Sequence, residues 1–154
     1  MKSKDNYIDF ENSIGPWLGK TSKILDYHLL ELFSKQGLDL SKEQMITLKK
    51  LHDKDGLNQN ELAFLTFRDK SSLARLLSKM EKKGFILRKK GKEDKRINEV
   101  FLTQRGREVF KQTIPILKGF ITRMEQNISI EEKRKVIGIL KKVQFNFTQE
   151  KAAL

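Results

Sequence analysis

LNQNELAFLTFRDKSSLARLLSKMEKKGFILRKKGKEDKRINEVFLTQRG, residues 57 to 106, holds three kinds of segment in close order. "LNQNELAFLTF" begins with a residue suited to a helix cap, Asn58, and then places Leu62, Ala63 and Leu65 where a short helix would turn them inward. "RDKSSLARLLSKMEKKG" follows after the tight "TFRD" turn. Asp69 caps this second helix and Gly84 ends it, after Lys82 and Lys83, which suit the negative helix terminus. Its apolar residues Leu73, Leu76, Leu77 and Met80 recur at i, i+3, i+4 and i+7 and so share one face. Its other side carries Ser71, Ser72, Arg75, Ser78 and Lys79: two cations, three hydroxyls and no acid. "FILRKK" and "INEVFLT" are short, apolar or β-branched runs that flank "GKEDKR", the pattern of a hairpin. Two helices across a tight turn, then a basic hairpin, describe a winged helix-turn-helix.

Helices extend from both sides of this unit. Upstream, Gly15-Pro16 opens a helix of about 20 residues whose Trp17, Leu18, Ile24, Leu25, Leu29 and Leu32 follow one stripe, with Gly37 as its stop. "SKEQMITLKKLHDKDG" is a second helix. Ser41 and Gln44 form a capping box, Met45, Leu48 and Leu51 form the buried face, and Asp55-Gly56 turns the chain. Downstream, Thr103 caps a long helix from about 104 to 127 that Pro115 should kink. Ser129 and Glu132 open a last helix to about Phe147, with Val136, Ile137, Leu140, Val143 and Phe147 on one face; "TQEKAAL" then frays. The expected order is four helices, two strands and two helices, a mainly α (α+β) chain. Its parts are an N-terminal helix in 1–37, the winged helix-turn-helix region in 38–103 and C-terminal helices in 104–154.

Charge is concentrated rather than spread. The chain of 154 residues carries a formal +12, and 12 basic against 4 acidic residues fall between Arg68 and Arg96. Focused positive charge attracts a polyanion, of which nucleic acid is the commonest. There is no cysteine, so disulfides and thiol chemistry are excluded. The two histidines stand far apart in sequence without a tight acidic cluster, so neither a metal site nor a cofactor is expected. The N-terminal "MKSKDNYIDFENS" has no apolar signal core and no run approaches a membrane span, which points to the cytoplasm and to no membrane partner. GxxxxGK, GxGxxG after a strand and HExxH are all missing, and the serines at 71 and 72 are explained by their place at a helix start, so no catalytic residue is assigned.

In register, these landmarks resemble the MarR family of bacterial transcriptional regulators, over roughly residues 15 to 147. "LSKEQMITLKKL" looks like the helix before the DNA-binding motif. Leu62-Ala63, Asp69 with Ser71, Arg75-Leu76 and Glu81-Lys82-Lys83-Gly84 match elements of the motif. Asp94 and Arg96 in "EDKR" supply the wing's Asp-x-Arg, and "LTQRG" the Leu-Thr-x-x-Gly that follows. Phe67 and Arg68 depart from the small and apolar residues that the family often has in that turn.

The residues suggest roles of their own. Early positions of a helix in the major groove meet base edges, which assigns Ser71, Ser72 and Arg75, with Arg75 as the base reader because its guanidinium can pair bidentately with guanine. Lys70 and Lys79 suit phosphate, as do Lys92 and Lys95 at the hairpin tip. Arg88 is open between a backbone phosphate contact and a structural ion pair. The resemblance implies that Arg96 enters the minor groove while Asp94 holds it. It also implies that helices 1, 5 and 6 form a homodimer on double-stranded DNA with a pseudopalindromic site, usually repressing transcription. It further implies a small aromatic or anionic effector between the dimer helices and the DNA-binding lobe; by composition Trp17, Tyr27, His28 and His52 are its candidate lining. The competing expectation is a winged-helix module that grips a protein or RNA without gene control.

Overall fold

The computed structural model describes residues 7–152, with side chains through Thr148. The element order is α1 (Ile14–Lys35), α2 (Lys42–Asp53), β1 (Leu57–Asn58), α3 (Gln59–Leu65), α4 (Lys70–Lys82), β2 (Ile86–Lys90), β3 (Asn98–Leu102), α5 (Gln104–Met124) and α6 (Ile130–Ala152). This is a winged helix with flanking helices, as expected from the sequence. The chain divides into two compact units, Met1–Ile116 and Leu117–Leu154. Residues 1–6 of the N-terminal segment lie outside the described residues, as do the final two.

The expected capping chemistry is present. The Ser41 hydroxyl accepts from the Gln44 N–H at 3.1 Å while the Gln44 carbonyl oxygen accepts from the Ser41 N–H at 3.2 Å. Asn58 and Glu61 make the same reciprocal pair on α3, both at 2.9 Å. Ser129 and Glu132 repeat it on α6. Each pair satisfies two backbone donors that a helix start would otherwise leave free.

In the first unit, a three-stranded antiparallel sheet in the order β1-β3-β2 backs the helices. Strand β1 is an addition to the expected elements. Its two residues pair Leu57 with Val100 and Asn58 with Glu99. Gly56, at φ +77, turns the chain into that register, and a Cβ there would come within 2.9 Å of the Phe101 ring. The core gathers Leu48, Leu51, Leu62, Leu73, Leu77, Met80 and Val100, all at or near complete burial. All four apolar residues expected on the inner side of α4 are buried.

Elsewhere the buried set differs from the expected one. Leu65 is 40% exposed, because α3 ends at that residue and turns its last apolar side chain outward. On α2, Met45 is only half-buried, whereas Gln44 and Thr47 are buried. Their polar atoms are satisfied: Thr47 donates to the Glu43 carbonyl at 2.9 Å and Gln44 accepts from Lys83 Nζ at 3.2 Å. Only the C-terminal part of the α1 stripe is buried, at Leu29 and Phe33; Trp17, Leu18 and Ile24 are exposed. Helix α5 runs unbroken through Pro115. Helix α6 continues past Phe147 to Ala152, since nothing in "TQEKA" interrupts a helix.

Candidate nucleic-acid interface

Asp69 sits at the N-cap of α4 in an extended conformation, and its carboxylate accepts the Ser72 N–H at 2.8 Å. That hydrogen bond holds the carboxyl below the usual range, against a smaller opposing desolvation, with the Arg75 charge assisting. The acid is thereby committed to the helix end. Exposed along α4 are Lys70, Ser71, Arg75, Lys79, Glu81 and Lys82; Ser72 is half-buried. Ser71, Arg75 and Lys79 are four residues apart and form one row.

The remaining acid on this helix, Glu81, is also committed. Arg88 on β2 donates to it twice, from Nε at 3.1 Å and from Nη2 at 3.0 Å, and reaches Ser78 Oγ at 3.4 Å. The Arg88 guanidinium holds the Glu81 carboxyl low, with desolvation opposing, and the carboxylate raises Arg88 in return. Arg88 is therefore a structural ion pair, one of the two roles left open by the sequence. It fastens the hairpin to α4, neutralises the acid beside the cationic row, and takes Ser78 out of that row.

At the hairpin tip, Gly91 donates to the Ile97 carbonyl at 2.7 Å and Ile97 to the Asp94 carbonyl at 3.1 Å. A Cβ at Gly91 would meet the Asp94 carbonyl oxygen at 2.7 Å, so the turn closes only around glycine. Asp94 meets Arg96 chiefly at the main chain: its carboxylate accepts the Arg96 backbone N–H at 2.9 Å, while the guanidinium Nε lies 4.0 Å away, at the outer limit of an ion pair. A carboxylate two residues upstream reaches the main chain in an Asx-type turn more readily than the tip of a long side chain. Arg96 is thus anchored at its backbone with 94% of its side chain exposed. Lys92 and Lys95 flank it, also exposed.

Of the four residues proposed by composition for an effector, Tyr27 and His28 are in contact and Trp17 lies apart from them. Trp17 lies near the start of α1, where its indole N–H donates to the Glu11 carbonyl at 2.7 Å. Tyr27 and His28 stack edge to face ten residues further along that helix, about 15 Å away at helical rise. His52, on α2, packs on Phe110 with ring centroids 4.6 Å apart. A cavity of about 530 Å³ lies elsewhere in the first unit, lined among others by Leu38, Lys83, Phe85, Arg105 and Val109. Lys83 is tied there to Asp39, whose carbonyl and carboxylate accept at 2.9 and 3.2 Å. Arg105 lies over the Phe85 ring at 5.8 Å. Sequence patterning gave no sign of this cavity, because its walls come from three separate segments. Among the described residues no cluster of histidine and acids could hold a metal, and no helix is long and apolar enough to cross a membrane.

Comparison with known proteins agrees with this architecture. The sequence model of the MarR family matches residues 40–97, from the start of α2 to the end of the hairpin tip. The HTH-type transcriptional regulator SarZ of Staphylococcus haemolyticus is 30% identical over 143 residues, 93% of both chains. A MarR protein from Peptoclostridium difficile has the same fold at a TM-score of 0.81, with 26% identity and 94% of both chains covered. The transcriptional repressor CouR, solved on a 23-mer DNA duplex, shares the fold at a TM-score of 0.79 and 18% identity, over 87% of this chain and 94% of that one. A helix-turn-helix with this cationic row, this wing and this degree of likeness to a full-length relative belongs to a defined group: the chain is a member of the MarR family of transcriptional regulators.

Proposed function

We propose that two copies of the chain bind a pseudopalindromic DNA operator as a homodimer and block transcription, until a small aromatic or anionic effector releases them. The observation that carries this reading is the pairing of an acid-free row on α4 with an exposed arginine on the wing. Both acids beside the row, Asp69 and Glu81, are spent on internal contacts. A solvated helix face has no need of that arrangement, whereas a phosphate-lined groove repels any uncommitted carboxylate.

In this reading residues 38–103 form the DNA-binding region. Arg75 reads a base edge in the major groove, with Ser71 and Ser72 beside it. Lys70, Lys79, Lys92 and Lys95 neutralise phosphates, and Arg96, placed by Asp94, enters the minor groove. The helices of 1–37 and 104–154 hold the dimer together. Supporting this, Trp17 and Ile24 on α1 and Ile137 and Phe147 on α6 are half or more exposed or close to it, more apolar surface than a lone soluble chain needs. Two-fold symmetry would then set two α4 helices one DNA turn apart. An effector that favours another spacing weakens DNA binding by population shift. The cavity beside Phe85 and Arg105 is the better-formed place for it.

Genome-wide mapping of the fragments bound in cells, followed by titration of the purified protein on the recovered duplexes, tests this directly. Recovery of a common inverted repeat near promoters is expected. Recovery of no sequence, together with no duplex binding in dilute buffer, sinks the reading and favours a protein or RNA partner.

A further inference from the structure

Three helices of the first unit end in the same hydrogen-bonded turn. After α1, Leu38 donates to the Phe33 carbonyl and Gly37 to that of Ser34, both at 2.9 Å; after α4, Phe85 donates to Met80 and Gly84 to Glu81 at 3.0 and 2.9 Å. After α3, Arg68 donates to Ala63 at 3.0 Å and Phe67 to Phe64 at 3.3 Å. This paired closure requires one residue in the left-handed region. The first two turns use glycine, Gly37 at φ +71 and Gly84 at φ +74; the third uses Phe67, at φ +52. Where the described chain goes left-handed elsewhere it uses Gly56 and Asn127, residue types that tolerate it. Phe67 is the exception, and a bulky side chain there is strained.

The ring returns nothing to the fold. Phe67 is 85% exposed and Phe64, three residues before it on the last turn of α3, is 80% exposed. An aromatic kept at a strained position and pointed into water has its partner outside the chain. Its surroundings indicate which. Phe67 lies two residues before the Asp69 cap, at the start of α4, with the exposed Lys70 and Arg75 on the first turns of that helix; Asp69 itself is bound to Ser72. Cations about an apolar knob suit a polyanion that offers apolar surface between its charges. Duplex DNA does so, at its deoxyribose faces and thymine methyl groups.

We propose that Phe67, with Phe64 beside it, is a DNA-contacting residue that seats an apolar side chain against the sugar or thymine methyl groups next to α4. The proposal rests on the DNA-binding reading above and adds to it a contact that carries no charge. The strain at residue 67 is retained because binding, not folding, uses the ring.

Full-length parent, Phe67→Gly and Phe67→Asn are compared by thermal denaturation and by anisotropy titration of a fluorescein-labelled duplex that the parent selects from a random-sequence pool. Relief of strain should raise the Tm of Phe67→Gly, by about 2–4 °C. Loss of the ring should weaken binding of both variants about tenfold, and Phe64→Gln should weaken it less. Repeating the titration with deoxyuridine in place of thymidine separates the two apolar sources. A parent weakened to the level of its variants identifies the methyl groups; an unchanged gap identifies the sugars. Stability and affinity moving in opposite directions is the expected signature. Equal affinity of parent and both variants overturns the proposal, leaves the DNA reading intact, and assigns the aromatics to another macromolecule. A joint fall of Tm and affinity in both variants also overturns it, because the ring would then serve the fold. Failure of the parent to bind any selected duplex removes both readings.

Discussion

Arg75 and Arg96 are both exposed cations, and the proposed reading gives them different work. Arg75 projects from the first turns of a capped helix, where a bidentate contact to guanine is geometrically accessible. Arg75→Ala should cost about 1–3 kcal/mol on the preferred duplex and relax sequence choice at that position, which competition titrations against single-base variants will show. Arg96 is held by its backbone while its side chain is free. Arg96→Ala should therefore weaken binding evenly across sequences and reduce the slope of log K against log salt by about one. Loss of discrimination in Arg96→Ala, with none in Arg75→Ala, would reverse the two roles. Both positions were legible in the sequence, as a helix face without acids and as a glycine-bounded basic tip. What Asp94 grips was not, since backbone and guanidinium are both within two residues of it.

Between elements, long-range ties decide how the wing sits against α4 and α5. Thr103 accepts the Gly106 N–H at 3.0 Å, capping α5 as expected, while its own N–H donates to the Phe85 carbonyl at 3.1 Å. The glycine three residues later has a steric reason: a Cβ on Gly106 would lie 2.1 Å from the Phe85 carbonyl oxygen. Gly106→Ala must push α5 off the base of the hairpin, and a loss of about 1–3 kcal/mol in denaturant unfolding is expected. The Glu81–Arg88 pair gives a pH signature. A carboxyl whose pKa is lowered in the fold stabilises it at pH above the unfolded value, about 4.3, and that contribution fades as pH falls through the native value. Parent should therefore melt above Glu81→Gln at neutral pH, and the gap should close in acid below that range. A gap that is constant with pH would mean that the pair does not stabilise the hairpin. On the other side of the hairpin, Asp55 accepts the Leu102 N–H at 2.9 Å and Arg107 Nη2 at 2.6 Å, joining the α2 turn, β3 and α5.

For the whole molecule, charge and apolar surface make separate demands. The formal +12, concentrated on α4 and the hairpin, should make DNA binding fall steeply with salt, with a log–log slope of about −0.9 for each phosphate neutralised. The exposed apolar residues of α6 call for cover by a second copy in the proposed dimer. Ile137→Glu should halve the mass measured by light scattering and abolish tight duplex binding, whereas a parent that is already monomeric at working concentration would sink the dimer. The sequence by itself determined the helix caps, the two faces of α4, the hairpin and its tip. Each of these rests on contacts between residues a few positions apart, so neighbours encode them. Tertiary structure alone decided the pairing of β1 with β3, the choice of Glu81 as the Arg88 partner, the Asp55–Arg107 tie and which part of the α1 stripe is buried. It also packed His52 on Phe110. Those outcomes depend on which distant segments the folded chain brings within a few ångströms, and periodicity along one segment carries no record of what packs against it.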